Sequence, residues 1–117
     1  MTRKPRVLES AVQDSIIGAL TLRGWLVVRM NSAQMPVGDS RWLRAYHVAG
    51  FGSAGFPDVL ALKDGRAILI EVKTEKGKLT DRQRAFRDFA KRHGIEVNVC
   101  RSVADAVALA GGCSGVG

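Results

Sequence analysis

Three charged residues, Asp58, Glu71 and Lys73, lie in one short apolar segment at a spacing that could hold a metal ion. Residues 57–73 read PDVLALKDGRAILIEVK, two apolar runs joined by Asp64-Gly65, a dipeptide typical of a type I′ hairpin turn. If the loop contains only those two residues, Asp58 comes directly opposite Glu71, and Lys73 follows on the same face. Two carboxylates that border apolar side chains need a positive counterpart. The pattern therefore predicts a site for a hard divalent cation.

A second interpretation of the same residues is a solvated strand edge, because strand ends often carry charged residues. The spacing of Glu71 and Lys73 alone favours this second interpretation, since Glu-x-Lys is a common sequence. The hairpin register favours the metal site, because it brings Asp58 into line with Glu71. The choice between the two interpretations therefore depends on the rest of the chain.

A helix is predicted over residues 6–22, between Pro5, which suits a helix start, and Gly24, which suits a helix C-terminus. At about 100° per residue, its apolar stripe consists of Leu8, Val12, Ile16, Ala19 and Leu20. Glu9 falls inside this stripe, where a lone carboxylate is unusual. The local sequence favours a first-turn glutamate that tilts into solvent at the positive end of the helix dipole. The alternative is a third carboxylate directed at the pocket of the two hairpin carboxylates.

A second helix is predicted from Thr80 to Arg92, because Thr80 and Gln83 match the capping-box pattern and Gly94 follows as a terminator. Gln83 also heads a stripe that continues through Phe86, Ala90 and His93. Its side chain therefore has two interpretations: it closes the cap, or it points inward to the metal site. The local sequence favours the cap.

The remaining segments complete an α/β pattern with the element order α-β-β-β-β-α-β-α. Besides the hairpin, the predicted strands and the last helix are Trp25–Met30, Arg41–Val48, Ile95–Cys100 and Val103–Ala110. The segment Ser32–Ser40 is predicted as a loop, which would make Arg41–Val48 a hairpin partner of Trp25–Met30. Both faces of the central hairpin are apolar, and this predicts a mixed sheet in the middle of the domain with helices on both sides.

Glycine and aromatic residues alternate before the hairpin, where residues 49–57 read AGFGSAGFP. Glycines at such spacing permit a sharp turn or a close backbone approach to a ligand. The segment is not a phosphate-binding loop, since the Walker pattern is absent and no helix follows. Nearby, Arg41 and Arg44 alternate with Tyr46 and Phe51. These aromatic residues either stack on a nucleic acid or pack on the core, and the sequence favours neither.

The charge of the chain favours a polyanionic partner, because its 117 residues carry a net charge of +7 and the isoelectric point is near 10.1. Nucleic acid is the first expectation and a membrane surface the second. The residues predicted to bind DNA are Arg29, Arg41, Arg44, Lys76, Lys78, Arg82, Arg84 and Arg87.

Length and composition predict a single domain over residues 1–117, with a core over 5–110 and a flexible glycine-rich tail over 111–117. No run of about 18 uncharged apolar residues is present, so no membrane span and no membrane partner are expected. Acidic and amide residues interrupt the segment after the basic N-terminus, which argues against a signal peptide. We expect Cys100 and Cys113 to be reduced thiols in an intracellular, cytoplasmic protein.

The motifs taken together resemble the PD-(D/E)xK nuclease superfamily, and within it the stand-alone VRR-NUC (virus-type replication-repair nuclease) domains of phages and bacteria. The resemblance depends on Glu9 in the first helix, the G-x-P-D motif at 55–58, E-V-K at 71–73, L-T-x-x-Q at 79–83, and Gly94 before a strand. It covers residues 9–109. Each motif is weak alone, but their order and spacing are specific. The implied fold has a restriction-endonuclease-like core.

The resemblance implies Asp58, Glu71, Lys73, Glu9 and Gln83 as catalytic residues. The implied metal ligands are Asp58, Glu71 and the backbone carbonyl of Val72, with Glu9 as a further candidate, and the implied cofactor is Mg²⁺ or Mn²⁺. The resemblance also implies that Lys73 orients or activates water, that Glu9 belongs to the site, and that Gln83 points into it. The implied activity is metal-dependent, structure-selective cleavage of branched DNA such as Holliday junctions by a homodimer.

Two alternatives remain beside this expectation. A non-catalytic DNA-binding module would explain the basic charge and the glycine-rich segment, but it would need no carboxylate pair. A restriction-like endonuclease with base-specific cuts is disfavoured by length, because 117 residues leave no room for a separate recognition domain.

Overall fold

The computed structural model describes residues 8–30, 34–37, 41–44, 48–52 and 54–112, and only the backbone within the second and third of these ranges. The helices are α1 (Glu9–Leu22), α2 (Asp81–Arg92) and α3 (Val103–Gly112), and the strands are β1 (Leu26–Arg29), β2 (Gln34–Val37), β3 (Arg41–Arg44), β4 (Val59–Lys63), β5 (Arg66–Val72) and β6 (Val97–Cys100). Within this described part of the chain, none of the helices is long and apolar enough to cross a bilayer.

A four-stranded mixed sheet forms the centre of the fold, with the strand order β1-β4-β5-β6. The β1–β4 and β4–β5 pairs are antiparallel, and β5–β6 is parallel. The parallel pair follows from α2, which carries the chain back across the sheet between β5 and β6. The predicted α/β class, a mixed sheet flanked by helices, is confirmed.

The β4–β5 hairpin has the predicted two-residue turn and register. Asp64 and Gly65 both have positive φ, 48° and 79°, as a type I′ turn requires. The ladder begins at Lys63↔Arg66 and ends at Val59↔Ile70. Because the register is unbroken, the residues just beyond this last pair are the two carboxylates of the predicted metal site.

Three of the helix boundaries differ from the predicted ones. Helix α1 begins at Glu9, and residues 6 and 7 of its predicted start lie outside the described part of the chain. Helix α3 continues through Gly111 to Gly112, beyond the predicted end at Ala110, and residues 113–117 of the predicted tail also lie outside that part. Helix α2 ends at Arg92 as predicted and begins one residue later than predicted, at Asp81, with Thr80 as its N-cap and the predicted capping box.

The predicted pairing of the second strand is wrong. β3 pairs with β2, a strand within the segment that was predicted as a loop, and the two form a separate antiparallel sheet. Pro36 lies in β2 opposite Trp42, a position open to proline because each strand of a two-stranded sheet is an edge. β1 instead pairs with β4 from Leu26↔Leu62 to Arg29↔Val59, which joins two apolar strands that are distant in sequence. The element order therefore contains one strand more than predicted.

The inward face of α1 is rotated from the predicted apolar stripe. Its buried residues are Gln13, Ile16 and Leu20, whereas Leu8 is 59% exposed. Glu9 lies one turn before Gln13 on this inward face, at the end of the helix that approaches the hairpin carboxylates. The stripe is therefore apolar in the middle of the protein and polar beside the candidate site.

The core lies between one face of the sheet and helices α1 and α3. Its fully buried members are Ile16, Leu20, Val59, Ala61, Ile70, Val72 and Ala106. The opposite face carries Leu60, Leu62 and Leu69, which are only partly buried. On that face, Leu69 lies against the same cavity as Phe86 and Ala90 of α2. Helices therefore occupy both sides of the sheet, as predicted, but the second side is covered less completely.

The glycine-rich segment packs against the start of α2 with no room for a side chain at Gly55. A Cβ at Gly55 would lie 2.5 Å from the Arg82 carbonyl oxygen, and its φ of +91° is a left-handed conformation. We therefore expect Gly55→Ala to lower the free energy of unfolding by about 2 kcal/mol or more, since backbone strain and a backbone clash act together. Urea denaturation measures this effect.

Gly18→Ala is the matched control for this substitution. Gly18 lies inside α1, and a Cβ there would meet no atom within 4 Å. The control should gain about 0.5–1 kcal/mol, because alanine loses less backbone entropy than glycine in a helix. Equal losses of stability in the two variants would contradict the proposed close approach.

Candidate active site

Asp58 is positioned by hydrogen bonds from two neighbouring strands. Its backbone carbonyl accepts a hydrogen bond from the Met30 amide at 2.7 Å, at the end of β1. Its side-chain Oδ2 accepts a hydrogen bond from the Val72 amide of β5 at 2.9 Å. Because both contacts are to backbone groups, the carboxyl group has a defined orientation at the end of the β4–β5 ladder. The preceding residue, Pro57, has its own φ fixed by its ring.

Glu71 is buried beside Asp58, with only 1% of its surface exposed. The two carboxyl groups are close enough to share a hydrogen bond, as the predicted register requires. Burial, the hydrogen bond to Asp58 and the negative charge of Asp58 raise the pKa of Glu71 from 4.5 to about 9, although Lys73 lowers it. The protonated form of Glu71 is therefore favoured at neutral pH in the metal-free protein.

This raised pKa predicts how the stability of the metal-free protein depends on pH. Between pH 4.5 and about 9, the folded state holds a proton on Glu71 that the unfolded state has released. The free energy of unfolding should therefore fall as the pH rises through this window, with a limiting slope of about 1.4 kcal/mol per pH unit from this group. Urea denaturation in EDTA at a series of pH values measures the slope.

The control for this measurement is Glu71→Gln, which keeps the shape of the protonated side chain but cannot titrate. The difference in unfolding free energy between the variant and the wild type should grow with pH. Parallel curves for the two proteins would show that Glu71 titrates normally, and would contradict the assigned pKa.

Gln83 makes both of the contacts that the sequence presents as alternatives. Its side-chain Oε1 accepts a hydrogen bond from the Thr80 backbone amide at 2.9 Å. The Gln83 backbone amide in turn donates to the Thr80 hydroxyl at 3.1 Å. These contacts close the capping box of α2. Its Nε2 donates to Glu71 Oε2 at 3.1 Å. The carbonyl end of the side chain therefore caps the helix, while the amino end contacts the buried carboxyl group.

Lys73 and Glu9 meet at the other side of the two carboxyl groups. Lys73 is 6% exposed, and its Nζ lies 3.9 Å from Glu9 Oε2. The Lys73 amide donates to the Cys100 carbonyl at 3.1 Å, which attaches the end of β5 to β6. Glu9 is half-exposed and contributes its negative charge to the raised pKa of Glu71. The structure therefore brings together all five side chains that were predicted as catalytic.

Gln13 is a buried polar residue of α1 that the sequence analysis did not select. It is 2% exposed and follows Glu9 by one helical turn on the inward face of α1. Every buried side-chain nitrogen and oxygen within the described residues has a hydrogen-bond partner, Gln13 included. Its spacing of four residues from Glu9 is the signal that could have identified it.

Two buried carboxyl groups supply the oxygen ligands for a cation at this site. Within the described ranges, no group of three or more His, Cys, Asp or Glu side chains is placed to hold a metal ion. Mg²⁺ characteristically takes one or two carboxylates and keeps several water molecules, so Asp58 and Glu71 suffice for it. The donor set therefore fits a hard divalent cation.

The basic residues predicted to bind DNA differ in whether their charges are paired with a carboxylate. Arg29 pairs with Asp14 at 2.6 Å, and Arg84 pairs with Asp81. Three others are exposed and form no ion pair with any described residue: Lys76, Lys78 and Arg87. Two more, Arg41 and Arg44, lie in β3, where the structure describes only the backbone.

Arg101, another residue that the sequence analysis did not select, holds the loop that carries two of these lysines. Its Nη1 donates to the carbonyl oxygens of Thr74 at 2.7 Å and Gly77 at 2.6 Å, with a longer contact to Glu75 at 3.3 Å. The loop begins directly after Lys73, so its lysines project from a fixed position beside the site. Arginine commonly binds several carbonyl groups in this way, because its guanidinium has five donors.

Comparison with known proteins identifies a similar family over the range that contains most of the candidate site. A sequence profile described as "VRR-NUC domain" matches residues 20–104, a range that contains Asp58, Glu71, Lys73 and Gln83. A solved structure described as "VRR_NUC domain" is similar in fold, with a TM-score of 0.61 and 23% sequence identity over 87% of this chain and 92% of that chain. No curated protein sequence matches significantly.

Proposed function

The chain belongs to the VRR-NUC family, and from this we propose that it is a metal-dependent endonuclease that hydrolyses phosphodiester bonds in branched DNA. The family is a nuclease family, and the net charge of +7 suits a polyanionic substrate. The observation that carries the metal-dependent part is the buried pair of Asp58 and Glu71, each held by a hydrogen bond from a neighbouring residue. A protein that only binds DNA would gain nothing from burying two carboxyl groups together, because such a pair is costly.

Asp58 and Glu71 would hold the cation, with the Val72 backbone carbonyl as a further ligand and Glu9 at the edge of the site. Mg²⁺ or Mn²⁺, when bound, supplies positive charge that polarises the scissile phosphate and makes water a better nucleophile. Gln83 donates to Oε2 of Glu71, which fixes the rotamer of that carboxyl group. The Val72 amide donates to Oδ2 of Asp58 and fixes the orientation of that carboxyl group.

Lys73 would supply positive charge where the phosphate gains negative charge during hydrolysis. Its burial at 6% exposure holds the ammonium group in place, and its contact with Glu9 fixes the direction of the side chain. The same position allows it to orient the attacking water. Lys76 and Lys78, in the loop that follows, would bind the flanking phosphates of the DNA strand.

Branched DNA and a homodimer are the finer part of the proposal. One domain of this length contains one site, whereas symmetric cleavage of a four-way junction needs two. A two-fold dimer would place two identical sites on one substrate. Sedimentation at micromolar protein should therefore give a dimer, and a monomer across the whole concentration range would contradict this part.

Cleavage of a panel of substrates tests the function directly. Flaps, splayed arms, four-way junctions and plain duplex of one sequence are incubated with Mg²⁺, with Mn²⁺ and with EDTA. We expect cleavage of at least one branched substrate with either metal ion, little cleavage of plain duplex, and none in EDTA. Binding of all four substrates without cleavage under any condition would instead support the non-catalytic DNA-binding module.

A further inference from the structure

We propose that Arg82, stacked on Phe51, forms a platform on which an unpaired nucleobase of the DNA substrate stacks. The inference rests on the proposed function for the identity of the substrate. It adds a physical reason for selecting branched DNA over duplex, because branch points and flaps present bases that are free to leave the helical stack.

The guanidinium of Arg82 lies over the Phe51 ring. Its Cζ lies 4.0 Å from the centroid of that ring, and its Nη2 donates to the Phe51 carbonyl oxygen at 2.6 Å. These two contacts hold the group against Phe51. Arg82 is nevertheless an exposed residue, so part of its side chain is open to solvent. A planar cation in this position suits a flat aromatic partner.

The platform rests on a rigid support, since Phe51 packs against two phenylalanines of α2. The ring centroids of Phe51 and Phe86 are 5.2 Å apart in an edge-to-face arrangement, and those of Phe51 and Phe89 are 5.2 Å apart with tilted rings. The position of the Phe51 ring is therefore defined before any ligand binds. This preorganisation reduces the entropy that a stacking partner must lose on binding.

The backbone beside the platform carries no side chain. A Cβ at Gly52 would lie 2.8 Å from Arg82 Nη2, and Gly52 has a φ of +124°. Glycine at this position therefore allows the guanidinium to approach the backbone.

The charge of Arg82 is available, in contrast to that of two other arginines. Arg84 pairs with Asp81 and Arg29 with Asp14, whereas no carboxylate among the described residues pairs with Arg82. A nucleotide supplies both a ring for the guanidinium plane and a phosphate for its charge. This combination favours a nucleotide over a neutral apolar ligand.

The residue that carries the platform is next in sequence to a residue of the proposed catalytic site. Arg82 directly precedes Gln83, whose Nε2 contacts Glu71 Oε2 at 3.1 Å. A base in a continuous duplex is stacked between its neighbours and cannot reach Arg82 without unstacking. A base at a flap or junction has already lost one neighbour, so its transfer to the platform costs less.

The test compares Arg82→Lys with the control Arg84→Lys, since both keep the charge and remove the planar group. Fluorescence anisotropy in EDTA measures the affinity of each for a single strand, for a duplex of equal length and for a single strand with abasic sites. We expect Arg82→Lys to weaken binding of the single strand about tenfold, the effect of one stacked base, and to leave duplex binding unchanged. Arg84→Lys should weaken binding of the single strand and binding of the duplex equally, or should weaken neither.

A second measurement uses the wild-type protein alone. It should bind the normal single strand about tenfold more tightly than the abasic strand, which has the same charge but no base to stack. Equal affinities for these strands would overturn the inference, as would an equal loss for single strand and duplex in Arg82→Lys. If these results appear while metal-dependent cleavage persists, only the platform fails. Absence of any DNA binding by the wild type would overturn the proposed function as well.

Discussion

Replacement of Glu71 by glutamine should reduce DNA cleavage at least about a thousandfold and leave the protein folded. The amide has the shape of the protonated carboxyl group and can still accept the hydrogen bond that Gln83 donates to Oε2 at 3.1 Å. It removes one negative ligand, and several kcal/mol of transition-state stabilisation by the cation are lost with it. Calorimetric titration with Mg²⁺ and single-turnover cleavage measure the two effects.

Asp58→Asn should have a similar effect, since its remaining oxygen can still accept the hydrogen bond from the Val72 amide. Glu96→Gln is the matched control, because Glu96 is an exposed carboxylate before β6, outside the site. It should change neither metal binding nor cleavage. Alanine substitutions at Asp58, Glu71 and Lys73 complete the set. Any of the three that retained the wild-type rate would lose its assigned role.

Gln83→Glu should reduce cleavage about a hundredfold with little change in stability, whereas Thr80→Ala should do the reverse. Glutamate is itself a capping-box residue, so the cap of α2 survives in the first variant. The Nε2 donor to Glu71 is lost, and a third negative charge faces the buried pair. Thr80→Ala removes the hydroxyl that caps the Gln83 amide, which costs about 1 kcal/mol, but it keeps the Nε2 contact.

The opposite effects expected for the two variants separate the contribution of the Glu71 contact from that of the helix cap. Single-turnover cleavage reports on the Glu71 contact, and urea denaturation reports on the cap. If both variants lost stability and activity in parallel, Gln83 would act on the site only through the position of α2. If Gln83→Glu cleaved at the wild-type rate, its contact with Glu71 would have no part in the reaction.

Local sequence was sufficient where a structure depends on a few neighbouring residues. The Asp64-Gly65 turn requires positive φ at two positions, and this requirement determines the register of the hairpin and hence the pairing of Asp58 with Glu71. The capping box of α2 is local in the same sense, because Thr80 and Gln83 are three residues apart. The two features place most of the candidate site.

The pairing of β1 and the inward face of α1 were outside the reach of such rules. β1 could pair with the next strand in sequence or with a distant one, and the contact with β4 is the one that places it in the central sheet. The sequence does not decide which residues of α1 face the core. The packing against the sheet buries Gln13 and leaves Leu8 exposed. Long-range packing decides between patterns that are locally equivalent.

The sequence by itself therefore determined the hairpin, its turn and the alignment of two carboxyl groups, because these follow from backbone geometry over fewer than twenty residues. Only the tertiary structure decided that both contacts of Gln83 coexist, that Glu9 reaches Lys73, and that Arg82 stacks on Phe51. The contacts of Gln83 with Glu71, of Glu9 with Lys73 and of Arg82 with Phe51 each join different elements of the chain. Their geometry depends on how the helices dock on the sheet, which no local pattern encodes.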